Sequence, residues 1–272
     1  MNSTPRAGRS RLSPPERPFR VTQRVLPPGK RKSRFGKGDG GLWADGIRPR
    51  PRPICYRPPG CGFSSGAQPL SPSTASHTKP MQRFLAPSTY IDFENPEVSA
   101  LARDLARGAS SERDLVRRCF EFVRDEIRHS ADFKLNPVTC KASDVLRYRT
   151  GYCYAKSHLL AAVLRANHVP AGLCYQRLSV GDGGPPYCLH GLNAVHLQDH
   201  GWYRIDARGN KPGVNARFCP PDEALAFSIN EAQERDLPEI WAEPLAPVIE
   251  VLEGHERYDQ VLANLPDVPL AY

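Results

Sequence analysis

Residues 150–170 read Thr-Gly-Tyr-Cys-Tyr-Ala-Lys-Ser-His-Leu-Leu-Ala-Ala-Val-Leu-Arg-Ala-Asn-His-Val-Pro, and the reading of this stretch decides the fold. From Cys153 to Asn167 it is rich in Ala and Leu, with Ala155, Leu159, Ala162 and Val163 on one side of a helical period, and Val169-Pro170 ends it. The pattern predicts a buried helix whose first residue is a cysteine. A thiol in that position faces unpaired backbone N–H groups and the positive end of the helix dipole, both of which favour thiolate over thiol. Gly151, just before it, allows the sharp turn that brings a substrate close to the sulfur. A free cysteine is also a small apolar residue that packs well in cores, so the position alone does not define a site.

The rest of the chain surrounds this helix in a definite order. Upstream, Pro96 to Arg107 sets Val98, Leu101 and Leu105 on one face, and Gly108 stops it. Ser110 or Ser111 can cap a second helix in which Leu115, Val116, Cys119, Phe120, Val123 and Ile127 form an apolar stripe. A short third helix is expected from Ser143 to the break at Thr150-Gly151. Downstream the period changes to short β-rich runs, Ala171 to Val180, Gly191 to Leu197 and Trp202 to Ala207, divided by Gly-rich and Asp-His-Gly turns. Helices first and strands second predict an α+β fold in which an antiparallel sheet packs against the cysteine helix.

Two residues of the strand region could complete a site with Cys153. His190 precedes the second run and Asp206 ends the third, 16 residues later. With a tight turn at 198–201, adjacent antiparallel strands would bring imidazole and carboxylate together. A buried Asp that accepts from one imidazole nitrogen fixes the tautomer and leaves the other nitrogen to hold a thiol proton.

Bulk properties set limits on this reading. Up to Pro80 there are 16 Lys and Arg against 3 Asp and Glu, and beyond it 21 against 26, so the formal charge of +8 divides into +13 and −5. Half of the 28 prolines also fall before residue 81. Such a segment cannot bury enough apolar surface to offset its ordering entropy, so residues 1–80 are expected to be a disordered basic extension and residues 81–272 the folded domain. The expectation extends to a protein that effectively begins at Met81. No signal-peptide pattern and no 18-residue apolar run occurs, which excludes export and a membrane span on this reading. Eight cysteines without framework spacing then point to free thiols in the cytoplasm. There is no CxxC pair and no HExxH, so no metal or other cofactor is expected. The basic leader has no aromatic platform for specific nucleic-acid binding.

The stretch from Thr150 quoted above, then Pro170-Ala-Gly, His190-Gly-Leu-Asn-Ala-Val and Gly201-Trp-Tyr-Arg-Ile-Asp, resembles the core pattern of stand-alone microbial transglutaminase-like proteins, allied to papain-type cysteine peptidases. The resemblance covers most of residues 84–250. It implies a papain/transglutaminase-like core with Cys153 as nucleophile, His190 as base and Asp206 as orienting acid. It further implies acyl transfer on a peptide or protein amide substrate through a thioester, resolved by water in a peptidase or amidase and by an amine in a cross-linking transglutaminase. The backbone N–H of Cys153 is the natural first oxyanion donor. The family often carries an aromatic residue two positions after the histidine, where this chain has Leu192. Two further readings compete: arylamine N-acetyltransferase, which lacks support because no Arg-Gly-Gly precedes Cys153, and a non-catalytic binding module, which would not need all three residues.

Other chemically able residues have plainer readings. His158, five positions after Cys153, points about 140° away on a helix and reads as packing or surface. His196 and His200 read as solvated, Cys188 as a buried or incidental thiol, and Trp202 and Tyr203 as sheet packing. Arg208, Asn210 and Lys211 either line the cleft or form a solvated turn. The run Asp236-Leu-Pro-Glu-Ile-Trp241 reads as a closing turn or edge element.

Overall fold

The computed structural model describes residues 81–181 and 183–268. The first helices are Pro96–Ala106 (α1) and Glu112–Glu126 (α2). Both start where the sequence supplies caps: Asn95 Oδ1 accepts from Glu97 N at 2.9 Å, and Ser111 Oγ accepts from Asp114 N at 3.1 Å. A two-residue strand, Arg128–His129 (β1), runs parallel to Thr150–Gly151 (β2), with the helices Ser130–Phe133 (α3) and Ala142–Tyr148 (α4) between them. Cys153–Ala166 (α5) follows at once.

Helix α5 is the centre of the fold. Every residue from Cys153 to Arg165 is buried, the polar ones included, where the sequence suggested a helix with one apolar side. Leu159, Leu160 and Leu164 are fully enclosed, and each contributes about 1.5–3 kcal/mol by leaving water. Two buried cations on α5 are satisfied by backbone oxygens. Lys156 Nζ donates to the carbonyls of Arg124 at 3.2 Å and Ile127 at 2.5 Å, which caps the C-terminal end of α2. Arg165 donates to the carbonyls of Ala171, Ala86 and Ala242 at 3.0, 2.9 and 2.6 Å.

The sheet that covers α5 consists of Ala171–Ser179 (β3), Tyr187–Leu197 (β4), Gly201–Ile205 (β5) and the edge strand Arg235–Asp236 (β8), in the order β5-β4-β3-β8 and antiparallel throughout. Between β5 and β8 lies a small hairpin, Arg217–Cys219 (β6) with Asp222–Ala224 (β7). The chain ends on two helices, Ala246–Glu253 (α6) and Tyr258–Ala263 (α7). The described residues fall within one compact unit, and none of their helices is long and apolar enough to cross a membrane. The expectation of a disordered extension over residues 1–80 lies outside the described residues.

The α+β architecture agrees with the sequence reading, and two details differ. Strand β4 starts four residues earlier than expected, so His190 lies inside the strand. The order of helices before strands is incomplete, because α6 and α7 pack back on the core through Val248, Leu252 and Val261. The 236–241 run is an edge element as expected, held to β3 by the Gln176–Asp236 pairing and by reciprocal bonds between Leu173 and Trp241.

Strand β4 sits on α5 closely because residue 191 is glycine. A Cβ there would lie 2.9 Å from Tyr154 Cδ1 and 3.0 Å from Tyr154 Cα. On the same face Tyr154 donates its hydroxyl to Leu189 O, and Asn193 Nδ2 donates to Ser157 O at 2.9 Å. The expected effect of Gly191→Ala is therefore a loss of about 1–3 kcal/mol from overpacking against helix backbone. Urea denaturation checks this, and an unchanged midpoint would show that the contact yields.

Candidate active site

Cys153 is the first residue of α5, and the residue before it, Tyr152, makes no side-chain cap. The first-turn N–H groups are thus left to the sulfur and to whatever approaches it. Gly151 holds the preceding turn tight: a Cβ would lie 3.2 Å from Thr139 Oγ1 and 3.3 Å from Ala155 Cβ. The thiol is 7% exposed, and its Sγ accepts from the N–H of Gly191 at 3.4 Å.

His190 and Asp206 meet beside it. The register of β4 and β5 pairs Asn193 with Ile205, so Asp206 falls opposite Leu192 and reaches His190 as a diagonal neighbour on the same face. His190 Nε2 lies 2.7 Å from Asp206 Oδ2. The carboxylate is wholly buried and also accepts from the N–H groups of Arg208 and Ala226, each at 3.0 Å. Burial works against its charge, but His190 and these N–H donors outweigh burial and hold its pKa below the usual carboxylate value. For His190 burial likewise opposes the proton. The Asp206 and Cys153 charges and hydrogen bonds to both overcome it and raise the pKa from 6.5 to about 10. With Nε2 committed to Asp206, Nδ1 is the nitrogen left for Cys153. The Phe227 ring lies edge-on to the imidazole at 4.9 Å and shields it from water.

The structure thus brings Cys153, His190 and Asp206 into one buried cluster. The other candidates fall as follows. His158 is fully buried, its Nδ1 2.8 Å from Cys140 O, and burial pulls its pKa down to about 4; it is a core residue. His200 is exposed, while His196, expected to be solvated, is partly buried and packs on Trp202 at 5.4 Å. Cys188 is partly buried, and burial pushes its thiol up to about 12. Tyr203 packs the sheet as read. Arg208 is no solvated turn residue: it is 7% exposed and forks on Asp132 at 2.6 and 3.0 Å, with Lys211 Nζ on the same carboxylate at 2.7 Å.

Several neighbours of the site were not read from the sequence. Asp132 on α3 ties the loop after Asp206 to the helix layer. His129 sits against Tyr152 with ring centroids 5.4 Å apart, and burial, then the Arg208 charge, keeps its pKa well below 6.5. Lys156 is brought down to about 7 by burial first and Arg208 second. A lone Lys in an Ala/Leu-rich helix was the one visible signal among these. Among the described residues no group of three or more His, Cys, Asp or Glu is placed to hold a metal ion.

This is an α+β fold with a cysteine at a helix start facing a His–Asp pair on an antiparallel sheet. Residues 99–207 match the model of the Transglutaminase-like superfamily. The match supports a cysteine-dependent enzyme in general terms. Among solved structures, the chain is similar to a "putative cysteine protease" from Cytophaga hutchinsonii, with 19% identity and a TM-score of 0.40 over 51% of this chain and 45% of that one. It is also similar to the periplasmic domain of TgpA from Pseudomonas aeruginosa, with 22% identity and a TM-score of 0.38 over 49% of this chain and 48% of that one. The chain spans about half the length of the structures it matches. A comparison with curated proteins gives no match.

The His190–Asp206 pair has a signature in stability. A proton held with a raised pKa stabilises the fold fully below the ordinary 6.5 and is lost as pH rises toward about 10. Asp206, with its lowered pKa, contributes above its ordinary 3.8 and loses that contribution in acid. The difference in Tm between the native chain and Asp206→Asn is therefore expected to plateau between about pH 4 and 6.5 and to shrink steadily up to pH 10. Thermal scans across that range check it; a difference that grows with pH would contradict the assignment.

Proposed function

We propose that residues 81–272 form a thiol-dependent hydrolase of amide or peptide bonds in which Cys153 is the nucleophile, His190 the base and Asp206 the orienting acid. The observation that carries this reading is the convergence of three groups: a sulfur at an uncapped helix start, an imidazole with a raised pKa, and a buried carboxylate on the far nitrogen of that imidazole. The match of residues 99–207 to the transglutaminase-like core supports it.

In this mechanism Cys153 Sγ attacks the substrate carbonyl carbon, and the oxyanion that forms lies near the N–H of Cys153. His190 gives its Nδ1 proton to the leaving nitrogen as the C–N bond breaks, and a thioester remains. His190 then takes a proton from water, the hydroxide adds to the thioester, and the carboxylic acid leaves as the sulfur is restored. Asp206 keeps Nε2 protonated and the ring in register throughout.

Substoichiometric alkylation with an iodoacetamide probe at neutral pH is expected to label Cys153 ahead of the other cysteines. A peptide screen that scores hydrolysis against amine incorporation separates this reading from cross-linking. Cys153→Ala and His190→Ala are expected to abolish turnover, and Asp206→Asn to lower it by about 10²–10⁴ with the near-UV circular dichroism retained. First labelling at any other cysteine, or near-native rates in His190→Ala, would overturn the assignment. We further propose that residues 1–80 are dispensable: a chain of residues 81–272 is expected to keep the Tm and activity of the full chain, and a large loss of either would refute this.

A further inference from the structure

Gln176 stands directly across the β3–β4 ladder from His190, so the two side chains share a face of the sheet with Cβ atoms roughly 5 Å apart. Gln176 is 2% exposed, and its Nε2 donates to Asp236 Oδ1 at 2.9 Å. An ionised carboxylate cannot donate, so the amide cannot flip to satisfy its other end. Its Oε1 is buried without a hydrogen-bond partner among the described residues. A buried acceptor left in this way calls for a donor.

Gln176 lines a cavity of about 320 Å³ together with Arg204, Glu223, Asp236, Phe227 and Ile229 among others. Phe227 is the ring that lies edge-on to His190 at 4.9 Å, so a single ring stands between the cavity and the imidazole. Its charge is unbalanced. Arg204 spans both carboxylates, with Nη2 on Glu223 Oε2 and Nη1 on Asp236 Oδ1, each at 2.7 Å. One guanidinium thus faces two carboxylates, leaving a net negative charge. The carboxylate side chains are 33% and 38% exposed, within reach of a ligand. A larger cavity of about 820 Å³, between α4 and α6, has no such orphaned acceptor in its wall; neither cavity is lined by Cys153, His190 or Asp206 themselves.

We propose that the smaller cavity is a specificity pocket for a basic side chain of the substrate, lysyl or arginyl. The aliphatic stem lies along Phe227 and Ile229, and the cationic head donates toward Gln176 Oε1 and the carboxylates of Asp236 and Glu223. Acidic side chains are turned away by the same charges. The proposal rests on the acyl-transfer reading of Cys153, His190 and Asp206, but the binding it predicts needs no chemistry.

The test uses the full chain carrying Cys153→Ala and dansylcadaverine, whose aminopentyl arm has the form of a lysine side chain. Fluorescence anisotropy is expected to show saturable binding that agmatine competes away, and no binding of the N-acetylated probe. Glu223→Gln and Gln176→Met, each checked for an unchanged near-UV spectrum, are expected to weaken binding about tenfold. Equal binding of the acetylated probe, or unchanged affinity in both variants, would overturn the pocket. In the chain with Cys153 intact, replacing lysine by norleucine in a cleaved peptide is expected to lower kcat/KM. A chain that binds the probe as described and cleaves no amide would support the pocket and overturn the acyl-transfer reading alone.

Discussion

The contact on which the rest of the structure depends is that between the backbone of β4 and the first turn of α5. Gly191 has no side chain, so the strand comes to within van der Waals distance of Tyr154, and its N–H points at the Cys153 sulfur. Leu189 and Asn193, the neighbours of Gly191 on that face, are tied to the same helix by hydrogen bonds. The alternate face of the strand then presents His190 toward Asp206. One strand thus fixes both the distance to the sulfur and the orientation of the imidazole, and its own position is set by a missing methyl group.

A helix buried on all sides could not hold polar residues at random, and those on α5 are used to attach it. Lys156 draws the C-terminal carbonyls of α2 onto the helix, and Arg165 gathers three carbonyls, one from the start of β3 and two from loops, at the other end. Each replaces water with fixed acceptors, which is what makes a buried cation tolerable. The loop after Asp206 is anchored in the same manner, through the fork of Arg208 on Asp132. Lys156 and the Arg208–Asp132 pair thus brace the walls around Cys153, His190 and Asp206, and Arg165 secures the far end of α5.

Much of this was legible in the sequence because it is encoded locally. The start of α5, a serine cap at 110 or 111 and the strand turns each depend on a few adjacent residues, whereas the cap at Asn95 was not read. The meeting of His190 and Asp206 was legible as well, since one tight turn fixes the register of two neighbouring strands. What escaped the reading depends on partners distant in the chain. Asp132 and Arg208 are 76 residues apart, and Phe227 reaches His190 from a loop with no periodic pattern. The earlier start of β4 was hidden because Tyr187 to Leu189 follow a Gly/Pro-rich turn, a composition that reads as loop. Helices α6 and α7 are short and partly exposed, with weak signals that only packing against the core makes definite.

The sulfur lies on the helical layer and the imidazole on the sheet layer, separated by 36 residues of chain that contain all of β3. Neither layer alone holds a paired nucleophile. On the proposed reading, a chain emerging during synthesis has a thiol with no base beside it until the sheet closes over the helix, and opening of that seam would part the two again.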